Sequence, residues 1–268
     1  MYLWDIKGDK EVYEGRVSHC HKECEIYYMI DGEAAFLIEG HKYLIVSDSL
    51  MLIPPNCFHQ WEYPVGKVHH RVCIHFLPEM LNRTERDFFL DLFVEPLHFL
   101  DGLLYNLNFY VQSIIDCKQM EASLRKIAVK CRMLALLSQI HFLRSTKTVK
   151  PVVLDERICA VINYIGEHLR EDLSLDILSR RFGITKNHLN VLFHKTVGTP
   201  LMKYVTVKRL GHARQEIISG ARLGEAAYNI GFNDYSAFYR AYKTFYGCPP
   251  SELLINSSQL IDYPKVSQ

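Results

Sequence analysis

Two apolar periods alternate along this chain. Between Glu11 and Phe76 short apolar runs are bounded by turn residues: CEIYYMI at 24–30, EAAFLIEG at 33–40, HKYLIVS at 41–47, SLMLIPP at 49–55 and HHRVCIHF at 69–76. Runs of this length, rich in β-branched and aromatic residues, predict strands, with Asp31-Gly32 and Glu39-Gly40 as turns. The stretch therefore predicts an all-β sandwich or barrel. Over 83–93 and again over 102–144 the period lengthens to about 3.6 residues, which predicts helices. Leu124, Ile127, Cys131, Leu134, Leu137, Ile140 and Leu143 mark one face of the last of them. That helix has apolar surface enough to cover its own barrel or to meet a second copy of itself, and the pattern fits both. A polar segment at 145–151 ends in Pro151, which a helix does not run through, and the domain boundary is placed there.

Past Pro151 the helical period returns in a repeated form. Leu223, Ala226, Ala227 and Ile230 share one helical face, and Gly231 gives the exit its permissive backbone. Asn233 or Asp234 is placed to cap a second helix, whose buried side is Phe238, Ala241, Tyr242 and Phe245. Tyr235, Ser236, Tyr239 and Arg240 face outward. This is a helix-turn-helix pattern, and it occurs twice. Upstream, Leu175, Leu178, Ser179 and Phe182 pack, Gly183 turns and Thr185 caps, while Leu189 and Phe193 stand 49 residues before Phe238 and Tyr242. Between the copies Thr199-Pro200 reads as an N-cap with proline at the first helical position. It opens a spacer helix from 201 to about 217 that fixes the separation of the two units. An outward face mixing hydrogen-bonding groups with a cation suits a helix laid in the DNA major groove, and its duplication strengthens that reading.

Composition narrows the class. With 268 residues, 49% of them apolar, the chain has material for two cores. No apolar run approaches the roughly 20 residues needed to span a bilayer, and the opening MYLWDIKGDKEVYEG lacks a signal-type apolar core, so no membrane partner is expected and the protein is placed in the cytoplasm. The eight cysteines stand singly and read as buried thiols. From Pro151 onward 14 Lys and Arg stand against 11 Asp and Glu, so the helical part is the basic one. The excess is small, and affinity for DNA must come from dimerisation and placed contacts more than from bulk charge.

Candidate chemistry lies in the β region. His19 and His21 alternate onto one face, Glu25 is able to share it, and His59 follows in DSLMLIPPNCFH. Three imidazoles and a carboxylate suit a divalent metal with open positions, a polar small-molecule pocket, or a satisfied polar interior with no ligand. Trp61, Tyr28, Phe36 and Tyr43 would stack a sugar-like ligand or simply fill the core. The stretch resembles the cupin family: His19, His21, Glu25 and Gly32 match its first motif, and Pro54 and His59 its second. Gly15 stands close to His19, and Asp48 and Asn56 occupy positions where glycine is usual.

Over essentially its whole length the chain also resembles the AraC family of bacterial transcription regulators, most specifically in GFNDYSAFYRAYKTFYGCPPSEL at 231–253. Ser179 stands where alanine is common, Gly211 sits inside the spacer helix, and Leu-Leu replaces the usual aromatic-Arg ending. The resemblance implies an α+β protein: a cupin-like effector barrel at 1–82, a helical connector or dimerisation region at 83–150, a DNA-binding domain at 151–256 and a tail at 257–268. It carries base reading onto Lys186, Asn187, Asn190 and Val191 in the first unit and Tyr235, Ser236, Tyr239 and Arg240 in the second. His194, Lys195, Lys208 and Lys243 are expected toward phosphates or solvent. The expected function is a ligand-responsive, sequence-specific transcription regulator, an activator and not an enzyme. It would act as a homodimer on double-stranded DNA with RNA polymerase as a further partner. Its effector is expected to be a sugar or other small polar molecule at His19, His21, Glu25 and His59. No cofactor is required, and a divalent metal at those four residues is the alternative occupant. The competing reading is a metal-dependent cupin enzyme fused to a DNA-binding module.

Overall fold

The structure, a computed structural model, describes residues 2–8, 18–64, 67–100, 105–144 and 149–253; Gly15 and the tail at 257–268 lie outside the described residues. The chain divides into two units, Met1–Leu154 and Asp155–Gln268. In the first, the strands are β1 (Tyr2–Gly8), β2 (Cys24–Asp31), β3 (Glu33–Ile38), β4 (His41–Val46), β5 (Ser49–Ile53), β6 (His59–Glu62), β7 (His69–Phe76), β8 (Leu97–Phe99) and β9 (Val152–Val153). They pair antiparallel into one sheet of order β1-β7-β2-β5-β8 and another of order β6-β3-β4-β9. The helices of this unit are α1 (Arg83–Phe89), α2 (Leu107–Asp116) and α3 (Ala122–Leu143).

Two cores share the larger sheet. Tyr27, Met29, Met51, Ile53 and Cys73 meet Ala34, Phe36, Ile38, Tyr43 and Ile45 of the smaller sheet. On the opposite face Ile26, Tyr28, Leu50, Leu52, Val72 and Ile74 pack with Val111, Ile114, Met133, Leu136, Leu137 and Ile140 of α2 and α3. A sheet buried on both faces needs apolar residues at both parities, which is why CEIYYMI and SLMLI read as continuous runs. The α+β class expected from the sequence is the class observed.

Four strands fall outside the predicted runs. β1 precedes them, β6 is the polar HQWE, and β8 and β9 have three and two residues, too few to show a period. β8 interrupts a stretch that reads as helical, and β9 lies beyond Pro151. Val153 pairs opposite His41 and Val152 opposite Lys42, and Leu154 N–H donates to Gly40 O at 2.9 Å.

The single apolar face expected on α3 is two faces. Leu137, Ile140 and Leu143 are buried with Met133 and Leu136, whereas Leu124 and Ile127 are 53% and 64% exposed. Leu124, Ile127 and Cys131 continue at helical spacing into Ala135, Ser138 and Phe142, all exposed, so the sequence stripe joined halves of two different lines. The thiols are free, but Cys131 is exposed and Cys20 and Cys248 are only partly covered. Asp48 and Asn56, which replace the usual glycines, have φ of 61° and 58°. Left-handed backbone is open to Asp and Asn because their short polar side chains bond locally. The turn geometry is thus kept without glycine.

The second unit contains α4 (Glu156–Glu167), α5 (Leu175–Phe182), α6 (Lys186–Val197), α7 (Leu201–Ile218), α8 (Leu223–Asn229) and α9 (Tyr235–Tyr246). α6 and α9 coincide end for end at the offset of 49, but Gly183 and Gly231 are 48 apart, so the second turn is one residue longer. Asp234 caps α9 by accepting from Ala237 N–H at 2.7 Å. Thr185 begins α6 without a side-chain cap, and Pro200 occupies the N-cap of α7, one position before the site expected. The start of α7 packs Tyr204 against Phe193, ring centroids 5.2 Å apart. Its end packs Leu210, Ala213 and Ile217 with Ala226, Ala227, Phe238 and Tyr242. Among the described residues no helix is long and apolar enough to cross a membrane.

Candidate effector site and DNA-recognition surface

Between the sheets, near the start of β2, one carboxylate oxygen gathers three imidazoles. Glu25 Oε2 lies 3.0 Å from His21 Nε2 and 3.3 Å from both His59 Nε2 and His75 Nε2. The backbone sets this up locally. His19 and His59 exchange N–H···O bonds of 3.0 and 2.9 Å, Asn56 N–H donates to His21 O at 2.7 Å, and β7 places His75 directly opposite Glu25. His19 completes the group, its ring 4.3 Å from that of His59 and 5.3 Å from Trp61. All four residues named from the motif are therefore brought together. His75 is the member the sequence missed: its inward parity in HHRVCIHF is legible, but its register against β2 is not.

The charges follow from the geometry. Burial opposes ionisation of Glu25, yet the bonds from His21, His59 and His75 hold its carboxyl well below the usual range. Burial likewise disfavours a charged His21, but the hydrogen bond and charge of Glu25 outweigh it and raise the imidazole. Both His21 nitrogens face oxygens, Nδ1 3.1 Å from Glu23 O and Nε2 3.0 Å from Glu25 Oε2, an arrangement that favours the doubly protonated ring. Of the aromatics considered for stacking, Trp61 stands beside this group, Phe36 and Tyr43 belong to the inter-sheet core, and Tyr28 faces the helices instead.

In the second unit, Lys186, Asn187 and Val191 on α6 and Tyr235, Ser236 and Arg240 on α9 are exposed, with Asn190 and Tyr239 partly covered. Lys186 is ion-paired to Asp176 of α5, and Asn190 Oδ1 accepts from Leu201 N–H at 3.4 Å. His194, Lys195 and Lys243 are exposed, while Lys208 lies partly covered over the Tyr204 ring at 5.2 Å. A side chain outside every motif holds the two helix-turn-helix units together. Arg209 of α7 donates to Leu169 O at 3.0 Å, Glu171 O at 2.6 Å and Gly231 O at 2.8 Å, tying the segment before α5 to the turn before α9. Its partners are backbone carbonyls, which no sequence pattern announces.

Two family profiles divide the chain much as its folded units do: an AraC-like ligand binding domain matches residues 11–140 and a helix-turn-helix domain matches 178–255. The chain belongs to the AraC family. It is 26% identical over 227 residues to YbfI of Bacillus subtilis, an uncharacterised HTH-type transcriptional regulator, covering 82% of this chain and 80% of that one. It is 28% identical over 112 residues to an HTH-type regulator of Staphylococcus aureus, SAS0078, over 41% of this chain and 15% of the other. ToxT of Vibrio cholerae, solved with an unsaturated fatty acid bound, aligns over 97% of this chain and 96% of its own at 12% identity and a TM-score of 0.41. The chain is thus a regulator with an AraC-type ligand-binding domain and a helix-turn-helix DNA-binding domain.

Proposed function

We propose that this AraC-family regulator binds a small-molecule effector between its two sheets, at His19, His21, Glu25, His59 and His75, and that the effector alters sequence-specific DNA binding. The observation that carries the reading is the gathering of three imidazoles on one buried carboxylate oxygen, with a partly exposed Trp61 beside it. Base reading falls to Lys186, Asn187, Asn190, Val191, Tyr235, Ser236, Tyr239 and Arg240. Homodimerisation through the exposed line on α3, and contact with RNA polymerase, belong to the same reading. A sugar has no particular support, since Tyr28 faces away from the site. A divalent metal is the second reading: the sets His19, His21, His59 and His21, Glu25, His75 each hold donor atoms within 4.8 Å of one another, the chemistry borderline metals prefer.

Fragments selected from random DNA by the purified protein, with and without candidate effectors, test the reading. His21→Ala and Glu25→Ala are expected to abolish the effector response and keep basal binding; a normal response in both would place the pocket elsewhere. Near-stoichiometric zinc, iron, nickel or manganese in the purified protein would support the metal, and its absence direct hydrogen bonding. Arg240→Ala and Asn190→Ala are expected to cost about 1–3 kcal/mol on the selected site and to relax preference at one position. Lys195→Ala should weaken all sequences alike, and equal losses on selected and random DNA for all three would remove the assignment.

A further inference from the structure

We propose that the space between the sheets contains an anion-binding subsite at Arg71, and that the effector carries a single carboxylate on an apolar body. The inference rests on the reading that this interior takes the effector. Alternation along β7 turns His69, Arg71, Cys73 and His75 inward, so Arg71 stands about 13 Å along the strand from the histidine group. It is 4% exposed. Its Nη1 donates to His69 Nε2, and its guanidinium lies 4.8 Å from the Tyr63 ring centroid and 5.9 Å from that of Trp61.

None of these partners is negative. Burial first, and the neighbouring guanidinium second, depress His69, so it stays neutral and accepts. Burial drives the Tyr63 phenol up, so it keeps its proton, its oxygen 3.1 Å from that of Tyr27. No carboxylate is within ion-pair distance of Arg71 among the described residues. A guanidinium does not escape burial by losing its proton, and contact with aromatic faces offsets only part of the cost of removing an ion from water. Among the described residues the site is short of one negative charge.

The free geometry selects the chemistry of that charge. With Nη1 bound to His69, the edge formed by Nε and Nη2 has no hydrogen-bond partner among the described residues, and such an edge takes a carboxylate through two parallel hydrogen bonds. One cation balances one carboxylate, whereas a phosphate dianion would bring a surplus charge into a low-dielectric interior. Tyr63, stacked on His69 with centroids 3.9 Å apart, and Trp61 provide an aromatic wall for the rest of the molecule.

Trp61 reports on the subsite. The chain has two tryptophans, so Trp4→Phe in the full-length protein leaves Trp61 as the only indole. Hexanoate, benzoate and phenylacetate, each titrated beside its primary amide, are followed by Trp61 emission and thermal unfolding. At least one acid is expected to bind about ten- to a hundredfold tighter than its amide, the factor typical of a hydrogen bond to a charged group. Phenylphosphonate should bind no tighter than benzoate. Arg71→Met should erase the difference between acid and amide and yet unfold at a higher temperature than the parent without ligand, because it removes a buried charge that has no carboxylate partner among the described residues. A lower unfolding temperature for Arg71→Met would show that the protein itself already balances the guanidinium, and would overturn the proposal. If acids and amides move Trp61 alike, the anion subsite falls and the interior pocket stands. If neither moves it, the subsite falls and the pocket is judged by the response of His21→Ala and Glu25→Ala.

Discussion

His98 shows what a single buried group does to the pH dependence of the first unit. It lies opposite Met51 on β8, is 1% exposed, and neither ring nitrogen has a hydrogen-bond partner among the described residues. Desolvation pulls its pKa down to about 4, against about 6.5 in an unfolded chain. The depressed pKa means that unfolding takes up a proton as the pH falls, so stability is full above about pH 6.5 and declines toward pH 4, by about 3 kcal/mol in all. Urea unfolding at pH 7 and 4.5 should show His98→Leu losing markedly less stability than the parent. Equal losses would mean the imidazole is solvated. Glycine gives a second residue-scale test. Gly231 and Gly247 both have positive φ, 86° and 75°, but a Cβ on Gly231 would meet Arg209 Nη2 at 2.7 Å and Leu169 O at 3.0 Å, while one on Gly247 would meet nothing within 4 Å. Gly247→Ala should cost about 1 kcal/mol from backbone strain alone. Gly231→Ala should cost clearly more in denaturant unfolding of the helical unit, and equal costs would mean that Arg209 moves aside freely.

Elements were legible where their residues state a period and illegible where another element sets their place. α6 and α9 carry apolar residues and a closing glycine at fixed offsets, each after a turn glycine, so sequence alone finds them. The strands from β2 to β5 were equally plain, because apolar runs between turn residues have few other readings. β8 and β9 are strands only because β5 and β4 offer them an edge, and His75 joins the carboxylate group only through the β2–β7 register. On α3 two lines of apolar residues interleave, and spacing alone fused them. The exposed line makes a prediction at this scale. If it is the dimer seam, Ile127→Glu should shift full-length protein toward monomer in sedimentation while changing thermal stability little, since an exposed substitution usually costs within about 0.5 kcal/mol. An unchanged dimer would move the interface elsewhere.

Across the whole molecule, the candidate site is connected by backbone to the last residues of its unit. Glu39 N–H donates to Phe58 O at 3.2 Å, the Glu39 carboxylate accepts from Phe58 N–H at 3.1 Å, and Gly40 O accepts from Leu154 N–H at 2.9 Å. Phe58 precedes His59, so a ligand that shifts His59 pulls on the turn that holds β9. Two exposed residues form that strand, which places it among the segments that open most readily. Leu154→Pro, which deletes the donor, should leave basal DNA affinity near that of the parent and blunt the effector response. A full response in that variant would rule out this route. β9 also bears on how such proteins are recombined. Hydrogen bonding to the sensing sheet runs through Leu154, and Asp155 is already the cap of α4. A chimaera that exchanges sensors has one clean seam, the peptide bond between those two residues. A crossover a few codons upstream would take an edge strand from its sheet and leave β4 open to a neighbouring chain.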